Sequence, residues 1–215
     1  LTAVTEIPGG GLIAVGHGLT ILDSQDNGKT WHTVTDGRKL AGIFRQAADQ
    51  AMQAGNQPQA DKDKLNRLAD EAANKPLLDV VMVNANDGLT VGAYGVILAT
   101  HDAGKHWFPE SGLLKDNEDR HLNVIRRVDG ERGLLYQSTD GGRHFTEIHS
   151  PSEATFFTIV GAGETVIAAG LRGKLILSTD KGQSWRVVDT GITYSFTAAL
   201  FDQSANAFIL ADDSG

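Results

Sequence analysis

The chain has 215 residues, 40% of them hydrophobic, with 25 glycines, no cysteine and a formal net charge of −8. This is ample apolar material for a core, and so many glycines fit tight turns better than long helices. The charge excludes a general nucleic-acid surface, which needs clustered Lys and Arg. The missing cysteines exclude disulfides and thiolate zinc sites, and no apolar run approaches the roughly 20 residues of a membrane-spanning helix.

From the start of the chain, residues 1–4, 12–15, 19–22 and 31–34 read as four short strands, with Gly16-His17-Gly18 turning the second into the third. Residues 38–75 break that pattern. Leu40, Ile43, Phe44, Ala47, Ala48, Ala51 and Met52 recur at helical spacing, and Gly55 supplies a stop. After Gln57-Pro58-Gln59, Asp61 reads as the N-cap of a second helix carrying Leu65, Leu68, Ala69 and Ala72. The apolar stripe of this helical hairpin is narrow and rich in Ala, so it needs a surface to dock on, either its own protein or a partner.

The four-strand layout returns at 78–83, 89–91, 96–98 and from 107 onward, and again at 156–160, 166–169, 175–177 and 185–188. A copy between them is irregular: it lacks an inner strand, or residues are missing near 129–130. A last copy shows two strands, 196–201 and 207–210. The expected organisation is a blade at 1–37, a hairpin insertion at 38–75 and further blades at 76–215, the last incomplete.

Between the third and fourth strands, four segments share the pattern Ser/Thr-x-Asp-x-Gly-x-x-aromatic. They contribute Asp26, Gly28 and Trp31; Asp102, Gly104 and Trp107; Asp140, Gly142 and Phe145; and Asp180, Gly182 and Trp185. An Asp two residues before a Gly suits a tight turn, because the carboxylate accepts turn N–H groups and Gly takes a positive φ. These residues are therefore expected to be structural. The Asp separations are 76, 38 and 40 residues, the first lengthened by the insertion. Repeats of roughly 40 residues with several short strands each define propeller blades.

This motif resembles the Asp box of the bacterial neuraminidase (BNR) repeat. Outside 38–75, the chain is similar to the photosystem II stability/assembly factor-like group of such propellers, its proteobacterial members included. The resemblance implies an all-β propeller of four-stranded blades, about four and a half of them here from a ring of about seven, within the roughly 4 to 8 blades of closed propellers. It further implies an exported, periplasmic, non-catalytic scaffold without cofactor that assists a membrane protein complex: photosystem II, or a transporter of the resistance-nodulation-division (RND) class. The helical insertion departs from the photosynthetic members.

The rival reading is a sialidase-like glycoside hydrolase or carbohydrate-binding propeller. Sialidases carry an Arg-Ile-Pro motif, an arginine triad and a Tyr/Glu pair; this chain has no Arg-Ile-Pro and only Tyr94, Tyr136 and Tyr194. The Asp-box carboxylates are dispersed over blades and cannot form the pair, about 5 to 9.5 Å apart, that glycosidases use. No catalytic residue is therefore assigned. His101 and His106 flank Asp102 at positions where other copies carry Gln, Thr or Ser, which reads as variable surface, and no metal site is expected.

The turns between second and third strands differ from copy to copy in a way that suits recognition. They present His17, Tyr94, Arg132 and Arg172. Strand order puts these turns, and the connection holding the hairpin, at the ends of the blades opposite the Asp boxes. Arg with aromatic residues suits protein contact, so these four are the expected partner-binding residues.

Overall fold

The computed structural model describes residues 1–54, 59–110, 128–129, 134–137 and 146–214. The described residues up to 110 form one compact unit, and those from 128 onward a second.

In the first unit, β1 (Ala3–Glu6), β2 (Leu12–Gly16), β3 (Thr20–Ser24) and β4 (His32–Thr35) make an antiparallel sheet in chain order. A second sheet repeats it with β5 (Leu77–Met82), β6 (Gly88–Gly92), β7 (Ile97–Thr100) and β8 (Phe108–Pro109). Strands β2 and β6 are buried almost throughout, as central strands covered on both faces must be. Ladder β8 is short, and its Pro109 has no N–H to give.

The insertion forms α1 (Gly37–Ala54) and α2 (Gln59–Glu71). Asp36 caps α1: its carboxylate accepts the N–H groups of Arg38 and Lys39, both at 3.0 Å. Leu40, Phe44 and Ala48 of α1 and Leu65, Leu68 and Ala69 of α2 are buried, and they share one core with Leu19, Ile21, Leu77, Val96, Leu98 and Trp107 of the blades. The hairpin therefore docks on the blades it connects.

In the second unit, β9 (Val128–Asp129), β10 (Leu134–Gln137) and β11 (Thr146–His149) form three strands of the irregular copy. They are followed by a complete sheet of β12 (Phe156–Ala162), β13 (Thr165–Gly170), β14 (Leu175–Ser178) and β15 (Arg186–Val188). Strands β16 (Phe196–Asp202) and β17 (Ala207–Asp212) pair with each other. Leu135, Phe156, Ile159, Ala168 and Ile176 form one core, and Ala169, Leu175 and Phe196 a smaller one. Sequential four-stranded antiparallel sheets, each led into from the outer strand of the one before, are the blades of a β-propeller.

Candidate functional site

Three of the four Asp boxes fall within the described residues, and they are built alike. In the first, Ser24 Oγ donates to Asp26 Oδ1 at 2.9 Å and accepts the Gly28 N–H at 2.8 Å. Asp26 also accepts the Thr30 N–H at 2.8 Å and the Thr30 hydroxyl at 2.7 Å, and Trp31 Nε1 donates to the Gly28 carbonyl at 3.1 Å. Thr100, Asp102, Gly104 and Trp107 repeat these contacts, as do Ser178, Asp180, Gly182 and Trp185. Trp107 is 2% exposed, and a Cβ on Gly104 would meet Ile13 Cδ1 at 2.7 Å, so the second box packs onto the first blade. The box with Asp140, Gly142 and Phe145 lies outside the described residues.

The carboxylates are held ionised. Hydrogen bonds from the Thr30 N–H and hydroxyl take Asp26 down to about 2, and those from the Ser184 hydroxyl and N–H do the same for Asp180. For Asp102, burial pushes upward, but hydrogen bonds from His106 and Thr100 outweigh it and leave the group below its ordinary value.

Sequence reasoning assigned roles only to the Asp, Gly and aromatic of each box. The geometry adds Ser24, Thr100 and Ser178, which are fully or almost fully buried and join the carboxylate to the turn N–H. It also adds the residue before each Trp. Thr30, His106 and Ser184 all donate to the outer Asp oxygen, with His106 Nδ1 lying 2.6 Å from Asp102 Oδ2. The signal was present: every copy carries a hydrogen-bond donor there. His106 is thus an exposed residue, at a position that varies between copies, which also bonds the Asp of its box, and His101 Nδ1 pairs with Asp87 at 2.8 Å. Among the described residues, no group of three or more His, Asp or Glu is placed to hold a metal ion.

The turns between second and third strands also share one conformation. Each is a single 3₁₀ turn: His17–Leu19, Ala93–Gly95 and Leu171–Gly173. Its central position is left-handed, with φ of 66° at Gly18, 58° at Tyr94 and 55° at Arg172. Holding a side chain in this conformation costs about 1–2 kcal/mol, so the second and third turns carry strain at their centre, and the first carries it one residue later, at Leu19 with φ 48°.

In the first unit, the hairpin reaches these turns. Leu19 N–H donates to the Lys75 carbonyl at 2.9 Å, and Ala93 N–H donates to the Pro76 carbonyl at 3.1 Å. The Lys75 side chain is buried; its ammonium pairs with Glu71 at 2.7 Å and lies 3.7 Å from the centre of the Tyr94 ring. Tyr94 is 45% exposed, and His17 is exposed. Tyr94 therefore serves the docking of the hairpin besides presenting an edge to solvent.

In the second unit, Arg172 is exposed beside exposed Leu171, and its N–H donates to Ser195 Oγ at 3.3 Å. The connection 190–195 runs along this turn. Thr190 Oγ1 donates to the Gly173 carbonyl at 3.0 Å, and a Cβ on Gly173 would overlap the Ile192 carbonyl. Ile192 and Tyr194 of this connection are exposed, as are Leu171 and Arg172 of the turn it runs along. Arg132 lies outside the described residues.

Fold and turns together define the class: an Asp-box β-propeller carrying a helical hairpin between blades. The photosystem II assembly lipoprotein Ycf48 of Synechococcus sp. (strain CC9902) is 32% identical to this chain over 118 residues, 50% of this chain and 35% of that protein. No known family profile matches the chain. Among solved structures, Ycf48 bound to a D1 peptide superposes with a TM-score of 0.65 at 13% identity, over 100% of this chain and 62% of that one. Ycf48 from Cyanidioschyzon merolae gives 0.62 at 14% identity, over 100% and 65%. A GH74 xyloglucanase from Xanthomonas campestris gives 0.61 at 15% identity, over 95% and 34%. In every case the match spans less than two thirds of the other protein, and at such identities the structural likeness shows the fold alone.

Proposed function

We propose that this chain belongs to an exported, non-catalytic propeller that binds a protein of a membrane complex and assists its assembly, as a relative of Ycf48. The carrying observation is the sequence identity with that assembly lipoprotein over half of the chain. The solved Ycf48 with a D1 peptide gives a precedent for a protein partner on this fold. No helix among the described residues is long and apolar enough to cross a membrane. In a proteobacterial host without photosystems, the compartment is the periplasm and the complex is an RND-type transporter.

The contact residues in this reading are Arg132 and Arg172, with His17 and Tyr94 at the equivalent turns. Arg172 has the chemistry of an interface anchor: an exposed side chain able to form bidentate pairs with partner carboxylates, on a turn that also exposes Leu171 and lies along the connection exposing Ile192 and Tyr194. Each such charged hydrogen bond contributes about 1.5–3 kcal/mol. The backbone strain at Arg172 is consistent with a side chain kept for what it contacts. The twelve Asp-box residues serve the fold, and residues 38–75 are an inserted module between the blades of 1–37 and 76–215.

The experiment separates this reading from its rival. The protein is offered sialosides and xyloglucan in turnover assays, a glycan array, and detergent-solubilised membrane proteins on a capture column. Saturable protein capture with no glycan turnover is expected. Hydrolysis above a heat-inactivated control, or glycan binding without protein capture, would overturn it.

A further inference from the structure

The first Asp box contains the chain's single Asn-Gly step, Asn27-Gly28; at the position of Asn27 the other boxes carry Ala103, Gly141 and Lys181. Asn27 is exposed. The absence of a Cβ on the following glycine leaves its backbone nitrogen the least hindered approach to an Asn side-chain amide. We infer that Asn27 is a site of covalent modification by hydrolytic deamidation, and that the Asp box around it acts as the gate.

The chemistry needs nothing but water. The Gly28 nitrogen gives up its proton and attacks Asn27 Cγ; the new N–Cγ bond closes a succinimide as the Cγ–Nδ2 bond breaks and ammonia leaves. Water then opens the ring at either carbonyl, giving aspartate or isoaspartate. In the folded protein that nitrogen is engaged. The Gly28 N–H donates to Ser24 Oγ at 2.8 Å, and Ser24 is buried and tied in turn to Asp26 Oδ1 at 2.9 Å. The step sits between two left-handed residues, Asn27 at φ 59° and Gly28 at φ 80°, and the box contacts hold it there. Reaction therefore requires the Ser24 contact to open.

The isoaspartate product does not fit back, because it lengthens the main chain by a methylene inside this turn; the aspartate product keeps the backbone and adds a carboxylate next to Asp26. Deamidation to isoaspartate thus converts a transient opening of the first box into a permanent one, whereas Ala103 and Lys181 have no side chain able to react this way.

The test follows the Asn27 peptide by mass spectrometry in the whole chain, native and in concentrated urea, at one pH and temperature. Native protein should convert at least about tenfold more slowly than unfolded chain, the factor that one ordinary hydrogen bond gives. Ser24→Ala, folded by circular dichroism, should approach the unfolded rate. Ser24→Thr, which restores the hydroxyl found at Thr100, should remain slow. Equal rates for native and unfolded parent would overturn the inference, and so would a folded Ser24→Ala that reacts as slowly as the parent. Should Ser24→Ala fail to fold, a Ser24→Thr protein that is native yet reacts at the unfolded rate would count equally against it.

Discussion

At the scale of single residues, each described box places an ionised Asp at a turn where hydroxyl and N–H donors converge. Since the folded values for Asp26 and Asp180 fall to about 2 from an ordinary 3.8, both groups favour folding when ionised. The stabilisation is complete above the unfolded value and is lost as pH falls from about 4 toward 2. Melting temperature should drop across that window in the parent, and the drop should shrink in Asp26→Asn/Asp180→Asn; thermal scans at stepped pH read it directly. Arg172 makes the opposite case, a side chain that costs stability. Arg172→Gly should raise stability by about 0.5–1 kcal/mol, strain relief of roughly 1–2 being partly offset by the freer unfolded glycine. Chemical denaturation would show whether it does. What the sequence revealed at this scale was the pattern of the box, because Asp, Gly and Trp recur. The left-handed backbone at Asn27, Ala103 and Lys181 was not legible, since Ala and Lys give no hint of a positive φ that only the closed turn imposes.

At the scale of elements, the strands were legible to within a residue or two, because alternation and glycine punctuation act locally. The hairpin was legible as two helices, but not its berth, which depends on tertiary contacts that no local pattern encodes. Lys75 illustrates the gap: as a residue it reads as solvated charge, yet it is 3% exposed, paired with Glu71 and stacked on Tyr94. Because Phe44 is fully buried in a core shared by helix and blades, Phe44→Ala should cost about 3–5 kcal/mol. That loss should appear as a lower denaturation midpoint for the whole first unit and not as melting of the hairpin alone. Replacing 38–75 by a flexible bridge would likewise uncover Leu19, Leu77 and Leu98, so the deletion is expected to destabilise the blades. Gly92→Ala provides a sharper probe of the join, since its Cβ would overlap the Pro76 carbonyl; hydrogen exchange at Ala93 should accelerate.

At the scale of the molecule, repetition made the propeller readable, since four copies of one motif fix an architecture that a single copy would not. Function was less readable for the same reason: repeated residues serve the fold, and the informative ones are those that vary between copies at an equivalent position. His17, Tyr94, Arg132 and Arg172 come from such turns, although Gly18 and not His17 holds the place of Tyr94 and Arg172, and the structure gives Tyr94 and Arg172 unequal surroundings. Tyr94 is engaged with Lys75, whereas Arg172 is exposed, as are Leu171 beside it and Ile192 and Tyr194 of the connection along its turn. The most direct test of the binding account is quantitative capture of a solubilised membrane protein by the parent and by Arg132→Glu/Arg172→Glu, with thermal melts confirming that both are folded. The account predicts an unchanged melt and an affinity at least about tenfold weaker, a loss of about 1.4 kcal/mol or more. Equal affinity for parent and variant, both folded, would contradict it.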